Sequence, residues 1–333
     1  MAVAACIAIV GNTGISAYPA TVDIPSGKSA TATAGVFEFS DLGGITQTWK
    51  LGDTDSIEIN LNGGTLDVSG YTASIINDTI TASSGTLNLN GGTLSINSGS
   101  SIANAVNTNI SSSSILAVMG GNATLDSTDT WEGIVGLENG TLTLNNVNKS
   151  VDGSFIQVGG TSTVTGNLSF NNSLDEVSGG TFNIGTTGNS TTITMTKGTI
   201  TQDATINLTA DGDIDFSAGE INLDSTDTWN GIIDMTGGTL NINNTQKTGS
   251  LIQTDGTVNV IGTKFDLNKT SDNIDGGILN VGMTPSSWWM SRNRKKFAVS
   301  PSTKLCTCAS VGYSSCSRHR NRQTAPASSR RIT

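Results

Sequence analysis

Gly237-Gly238-Thr239-Leu240-Asn241-Ile242 is the stretch on which the fold turns. Paired glycines supply the positive φ angles of a turn without a Cβ clash. Thr-Leu-Asn-Ile then alternates polar and apolar at period two, the mark of a strand with one buried face. The unit recurs as Gly63-Gly64-Thr65-Leu66-Asp67-Val68, as Gly91-Gly92-Thr93-Leu94-Ser95-Ile96 and as Gly179-Gly180-Thr181-Phe182-Asn183-Ile184. Second glycines at 140, 160, 180, 198, 219, 238, 256 and 277 read as a period close to 20 residues. A unit this short cannot bury its apolar side chains alone, so successive units must stack. The pattern predicts an all-β chain folded as a right-handed parallel β-helix, a solenoid with coils of about 20 residues. Leu240 and Ile242 are then expected to point inward and Asn241 outward, where Asn241→Asp costs within about half a kcal/mol.

A longer repeat overlies the short one. Leu125-Asp-Ser-Thr-Asp-Thr-Trp131 returns letter for letter as Leu223-Asp-Ser-Thr-Asp-Thr-Trp229, and 14 of 22 positions match between 125–146 and 223–244. The offset of 98 residues reads as five whole coils of about 19.5 residues, a solenoid growing without remaking its core. Residues 45–284 have room for roughly twelve coils, a rod on the order of 55–60 Å at about 4.8 Å per strand. Asparagines at turns, as in Asn145-Asn146 and Asn243-Asn244, are suited to backbone hydrogen bonds or stacked amide ladders.

Composition divides the chain. All 27 acidic residues precede Pro285, with seven lysines and no arginine, whereas 285–333 holds ten basic residues and no acid. An acidic body lacks the Lys and Arg patches that nucleic acid requires. Residues 1–20 begin with an apolar run suited to the core of a truncated signal peptide. Residues 21–44 are expected to form a cap or entry strands, and 45–284 the repeat domain. The basic segment 285–333, without Gly-Gly-Thr units, is expected to be a disordered tail arising from a change of reading frame. Its Cys306, Cys308, Cys316 and His319 fit no common zinc spacing.

Catalytic residue types are scarce. Between residues 7 and 284 there is no His, Cys or Arg, which removes Ser-His-Asp triads and zinc–histidine sites from that span. Paired carboxylates such as Asp126/Asp129 and Asp224/Asp227 keep a glycosidase or lyase in view. Asp211-x-Asp213-x-Asp215 sets three carboxylates on one strand face, a candidate Ca²⁺ site. Trp131 and Trp229, beside Asp129 and Asp227, are candidates for ligand binding. A flat exposed indole stacks on a sugar ring, whereas a corner-packed one covers the core, and packing is the preferred reading.

With its Gly-Gly-Thr-Leu-Asn-Ile units, the body over about 45–284 resembles the passenger region of bacterial autotransporter adhesins and related secreted β-strand-repeat proteins. The resemblance implies an extracellular or outer-surface stalk, a host glycan or protein as partner, and a membrane β-barrel following it. No such barrel pattern occurs in this sequence. A non-enzymatic adhesin-like stalk is therefore the leading expectation. A carbohydrate-active β-helix enzyme is the main alternative. An ice-binding solenoid, needing regular Thr-x-Thr ranks such as Thr141/Thr143 and Thr192/Thr194, is the second.

Overall fold

A computed structural model describes residues 78–262 and 265–282 continuously, shorter stretches before residue 78, and Lys304–Cys308. The expected signal peptide over 1–20 and most of the basic tail lie outside the described residues. The described part is all β, and its strands stack in parallel as a solenoid. Each coil carries three short strands, which together build three faces.

The second face is an uninterrupted stack. It starts at Thr72–Ile75, passes through Thr93–Ile96, Ser154–Gln157 and Glu220–Leu223, and reaches Ile278–Gly282 through ten successive parallel pairings. That is about ten turns rather than twelve, or about 48 Å of rod at about 4.8 Å per rung. The third face runs from Thr21–Asp23 through Thr181–Ile184 and Thr205–Leu208 to Gln246–Lys247. The first face carries Asn107–Ile110 and Thr130–Trp131 in its lower half, then Thr191–Met195 and Gly212–Phe216 above. Before the first full coils, Ser29–Thr33, Val36–Phe39 and Gln47–Lys50 pair antiparallel, and Ser29–Thr31 also pairs in parallel with Thr65–Asp67. Within the basic tail, Lys304–Cys308 lies parallel to Ile278–Gly282.

Strand alternation works as the residue types require. Ile75, Ile96, Val118 and Leu137 stack in register on the second face, all at most 1% exposed. Ile221, Leu240, Val258 and Leu279 continue the same inward file. Phe155, Phe170 and Phe182 fill the middle, with ring centroids 6.0–6.1 Å apart. Each such side chain is covered by its equivalents in the coils above and below, at roughly 1.5–3 kcal/mol apiece.

The coils average close to 20 residues, as the sequence implies. The expectations that every glycine step is a coil and that the 98-residue repeat is five coils fail for one reason. Glycines 140, 160 and 180 occupy one corner, at φ 86°, 67° and 72°, each against the previous one. Glycines 219, 238, 256 and 277 occupy a different corner, ahead of the second-face strands. The step from 180 to 198 is therefore a move between corners and not a coil. Real coils vary, from 18 residues between Asn241 and Asn259 to 25 between Gly166 and Thr191. The 98-residue duplication likewise does not preserve whole coils. Thr141–Asn145 pairs with Thr161–Thr165 on the third face, whereas its copy Thr239–Asn243 pairs with Thr257–Ile261 on the second. The copy stops one face short of five whole turns.

Asn241 departs from its expected neutrality. Its amide nitrogen donates to Asn222 Oδ1 at 2.7 Å and Glu220 Oε1 at 2.9 Å, and its oxygen accepts from Asn259 at 2.8 Å. Asn241→Asp removes both donors and sets a carboxylate beside Glu220, so a loss of about 1–2 kcal/mol is expected. Leu240→Asp buries an unpaired charge and is expected to cost several kcal/mol more. Urea unfolding of the two variants measures the difference.

Candidate functional site

The chemistry-bearing side chains gather at the corners that follow Asp-Ser-Thr-Asp. In the first copy, Asp126 Oδ1 accepts from the Thr128 amide at 2.7 Å, fixing a tight turn. Asp129 then turns inward. Its Oδ2 accepts from the Asp126 amide at 2.6 Å, and its Oδ1 reaches the previous coil to accept from the Thr108 amide at 2.5 Å. The second copy repeats this with Asp227, the Asp224 amide and the Ile206 amide, each at 2.6 Å. Asp175 and Asp272 make the same pair of bonds, Asp175 to Asn172 and Phe155, Asp272 to Lys269 and Leu251. Four carboxylates thus staple adjacent coils at places where the ladder would leave amides unpaired.

Trp131 and Trp229 follow these turns and are 1% exposed. Each indole N–H donates to a backbone carbonyl two residues on, Gly133 at 3.1 Å and Gly231 at 3.2 Å. Trp131 meets Phe155 edge-on with centroids 6.2 Å apart. Neither ring offers a face to a sugar, so the ligand-binding candidacy of Trp131, Trp229, Asp129 and Asp227 is corrected. All four are consumed in packing and turn hydrogen bonds.

The three calcium candidates take different settings. Asp211 Oδ2 accepts from the Gly188 amide at 3.0 Å, outside the strand Gly212–Phe216. Asp213 and Asp215 point outward, and Asp215 lies in register with Asp234 on the next coil. Partial burial raises the pKa of both, reinforced at Asp213 by Asp215 and at Asp215 by Asp234. Among the described residues, no group of three or more His, Cys, Asp or Glu side chains is disposed to hold a metal ion.

Two lysines escaped the sequence reading. Lys149 pairs with Asp175 at 3.0 Å, both side chains fully buried, and Lys247 pairs with Asp272 at 2.6 Å. The available signal was their separation of 98 residues, equal to that of the tryptophans. Two glutamines take inward strand positions as well. Gln157 Nε2 donates to the carbonyls of Gly179 and Thr181 at 3.1 and 3.0 Å, while Ser162 donates to its Oε1 at 2.5 Å. Its counterpart Gln253 donates to Ile278 O at 3.2 Å, but Val258 stands where Ser162 would, and Gln253 Oε1 is buried without a hydrogen-bond partner.

Comparison with known protein families, with curated proteins and with solved structures gives no match to this chain. The solenoid architecture therefore stands on its own geometry.

Asp129 and Asp227 lack a lysine equivalent to Lys149, and burial pushes each carboxyl up to about 6 against the lowering effect of its two amide bonds. Both values lie above the unfolded carboxyl at about 3.9, so the folded state holds these protons more tightly. The resulting stability is present below about pH 4 and is lost as pH rises through about 6. Melting is expected at a higher temperature at pH 5 than at pH 7. The double variant Asp129→Asn/Asp227→Asn should show a smaller difference in the same calorimetric scans.

Proposed function

We propose that the chain is a non-enzymatic, adhesin-like stalk of a secreted or cell-surface protein, displaying rigid ranks of side chains to a glycan or protein partner. One observation carries this reading. Outward side chains on successive coils are joined to each other, as in the amide file Asn222–Asn241–Asn259–Asn280, linked at 2.7–2.8 Å. Asn183 bridges Thr163 and Asn207 in the same way on the third face, and Asn88 accepts from Asn109 on the first. Such ranks are pre-ordered, so a partner that binds them pays little further side-chain entropy. The resemblance to autotransporter passengers supports a bacterial outer-surface location, with a membrane barrel as the anchor. Incubated with acidic and neutral glycans and with matrix proteins, the purified chain is expected to bind saturably and release no cleaved product. Glycan turnover abolished by changing one carboxylate would overturn the stalk reading in favour of a carbohydrate-active enzyme.

A second reading rests on the third face. Thr141, Thr161, Thr181 and Thr205 form one rank in register, with Thr143 and Thr163 beside it. Its first three members stand 20 residues apart along the chain and the fourth follows after 24, yet all four keep one register. The rank favours a surface that orders water, as an ice-binding solenoid does. Microscopy of ice growth separates the two: the stalk reading expects unmodified crystals, and shaping of crystals that is lost in Thr161→Tyr would support the second.

A further inference from the structure

Lys149, Asn171 and Asp175 meet on consecutive coils inside the solenoid. Lys149 Nζ is 2.6 Å from Asn171 Oδ1 and 3.0 Å from Asp175 Oδ2. A C=O bond is about 1.2 Å, so the amide carbon of Asn171 lies no more than about 3.8 Å from the amine. That is close to the separation of about 3–3.5 Å at which reacting atoms attack. The surroundings are apolar: Trp131 forms a backbone bridge with Lys149, and Trp131, Phe155 and Phe170 make successive ring contacts. The Phe155 amide holds Asp175 Oδ1 at 2.8 Å, and Oδ2 accepts from the Asn172 amide at 2.8 Å while facing the amine at 3.0 Å. Asn171 itself is half-buried, at the edge of this pocket.

We propose that Lys149 and Asn171 join in an intramolecular isopeptide bond, with Asp175 as the proton carrier. Asp175 takes a proton from the Lys149 ammonium, leaving a neutral amine. Burial favours that exchange, and desolvation lowers the Lys149 pKa against the opposing attraction of Asp175. The Nζ lone pair attacks Cγ of Asn171, and the Nζ–Cγ bond forms. Asp175 passes its proton to Nδ2, the Cγ–Nδ2 bond breaks and Nδ2 leaves as ammonia, and the second amine proton passes to Asp175. One amine and one primary amide become one secondary amide and one ammonia, with no oxidant or reductant. Exclusion of water protects the amide from hydrolysis, and the half-exposed position of Asn171 opens a way out for ammonia.

The duplicated unit supplies an internal comparison. Lys247, Asn268 and Asp272 repeat the three residue types, but Lys247 Nζ is held by Asp272 and by the Asp266 carbonyl at 3.3 Å, and Asn268 is exposed. No bond is expected there.

Intact mass of the full chain in denaturant should fall one ammonia short of the sequence mass. Protease digestion should yield a branched peptide joining Lys149 to Asn171. Asn171→Ser leaves the Lys149–Asp175 pair in place, and its mass should equal that of its own sequence. Circular dichroism checks that this variant keeps its β structure. A wild-type mass equal to the sequence mass, with Lys149 open to amine reagents after unfolding, would overturn the proposal. So would loss of ammonia confined to a linear peptide, the sign of a succinimide at Asn171.

Discussion

The structure depends on parallel stacking in register, in which every inward side chain is covered by the same position one coil away. No single coil has a core of its own. Leu240 is buried only because Ile221 lies below it and Val258 above it. Stability is therefore a property of neighbouring coils, and a defect matters through the interfaces it breaks. The same constraint decides what stands outside. Side chains about 4.8 Å apart along the rod invite amide-to-amide hydrogen bonds, and asparagine is the residue that can both donate and accept in such a file.

Corners are where the regular ladder fails and where the polar chemistry collects. Three strands per coil demand three bends, and each bend leaves amides without a strand partner. Glycine relieves the backbone at some bends, while at others an inward aspartate accepts two of the free amides. The cost is a carboxylate in an apolar interior. Asp175 and Asp272 offset it with a lysine, whereas Asp129 and Asp227 keep their protons more tightly instead. The acidic pairs that suggest a hydrolase in linear sequence are thus parts of turns. The buried lysine brought to an amide is the arrangement with reactive geometry.

Duplication by 98 residues succeeded although it is not a whole number of coils. The three faces are built from equivalent strands, so a copied block can resume on a different face and still find an apolar file to join. Trp131 on the first face and Trp229 on the third are the visible result. The mismatch leaves a trace at Gln253, whose oxygen has no counterpart to Ser162 because Val258 occupies that place.

Period-two alternation and Gly-Gly-Thr turns were enough, by themselves, to determine a stacked all-β solenoid and the inward or outward sense of residues such as Leu240 and Asn241. Both signals are local, since alternation depends on adjacent residues and a turn on the φ angles of one or two. The identity of the coil above any residue is not local. Coil lengths range from 18 to 25 residues, so even glycine spacing disguised a change of corner between Gly180 and Gly198. Burial of the tryptophans, the Asp129 bond to an amide 21 residues away and the meeting of Lys149 with Asn171 across 22 residues follow from that stacking. Only the tertiary structure decided them, because strand propensity carries no information about angular position around the rod.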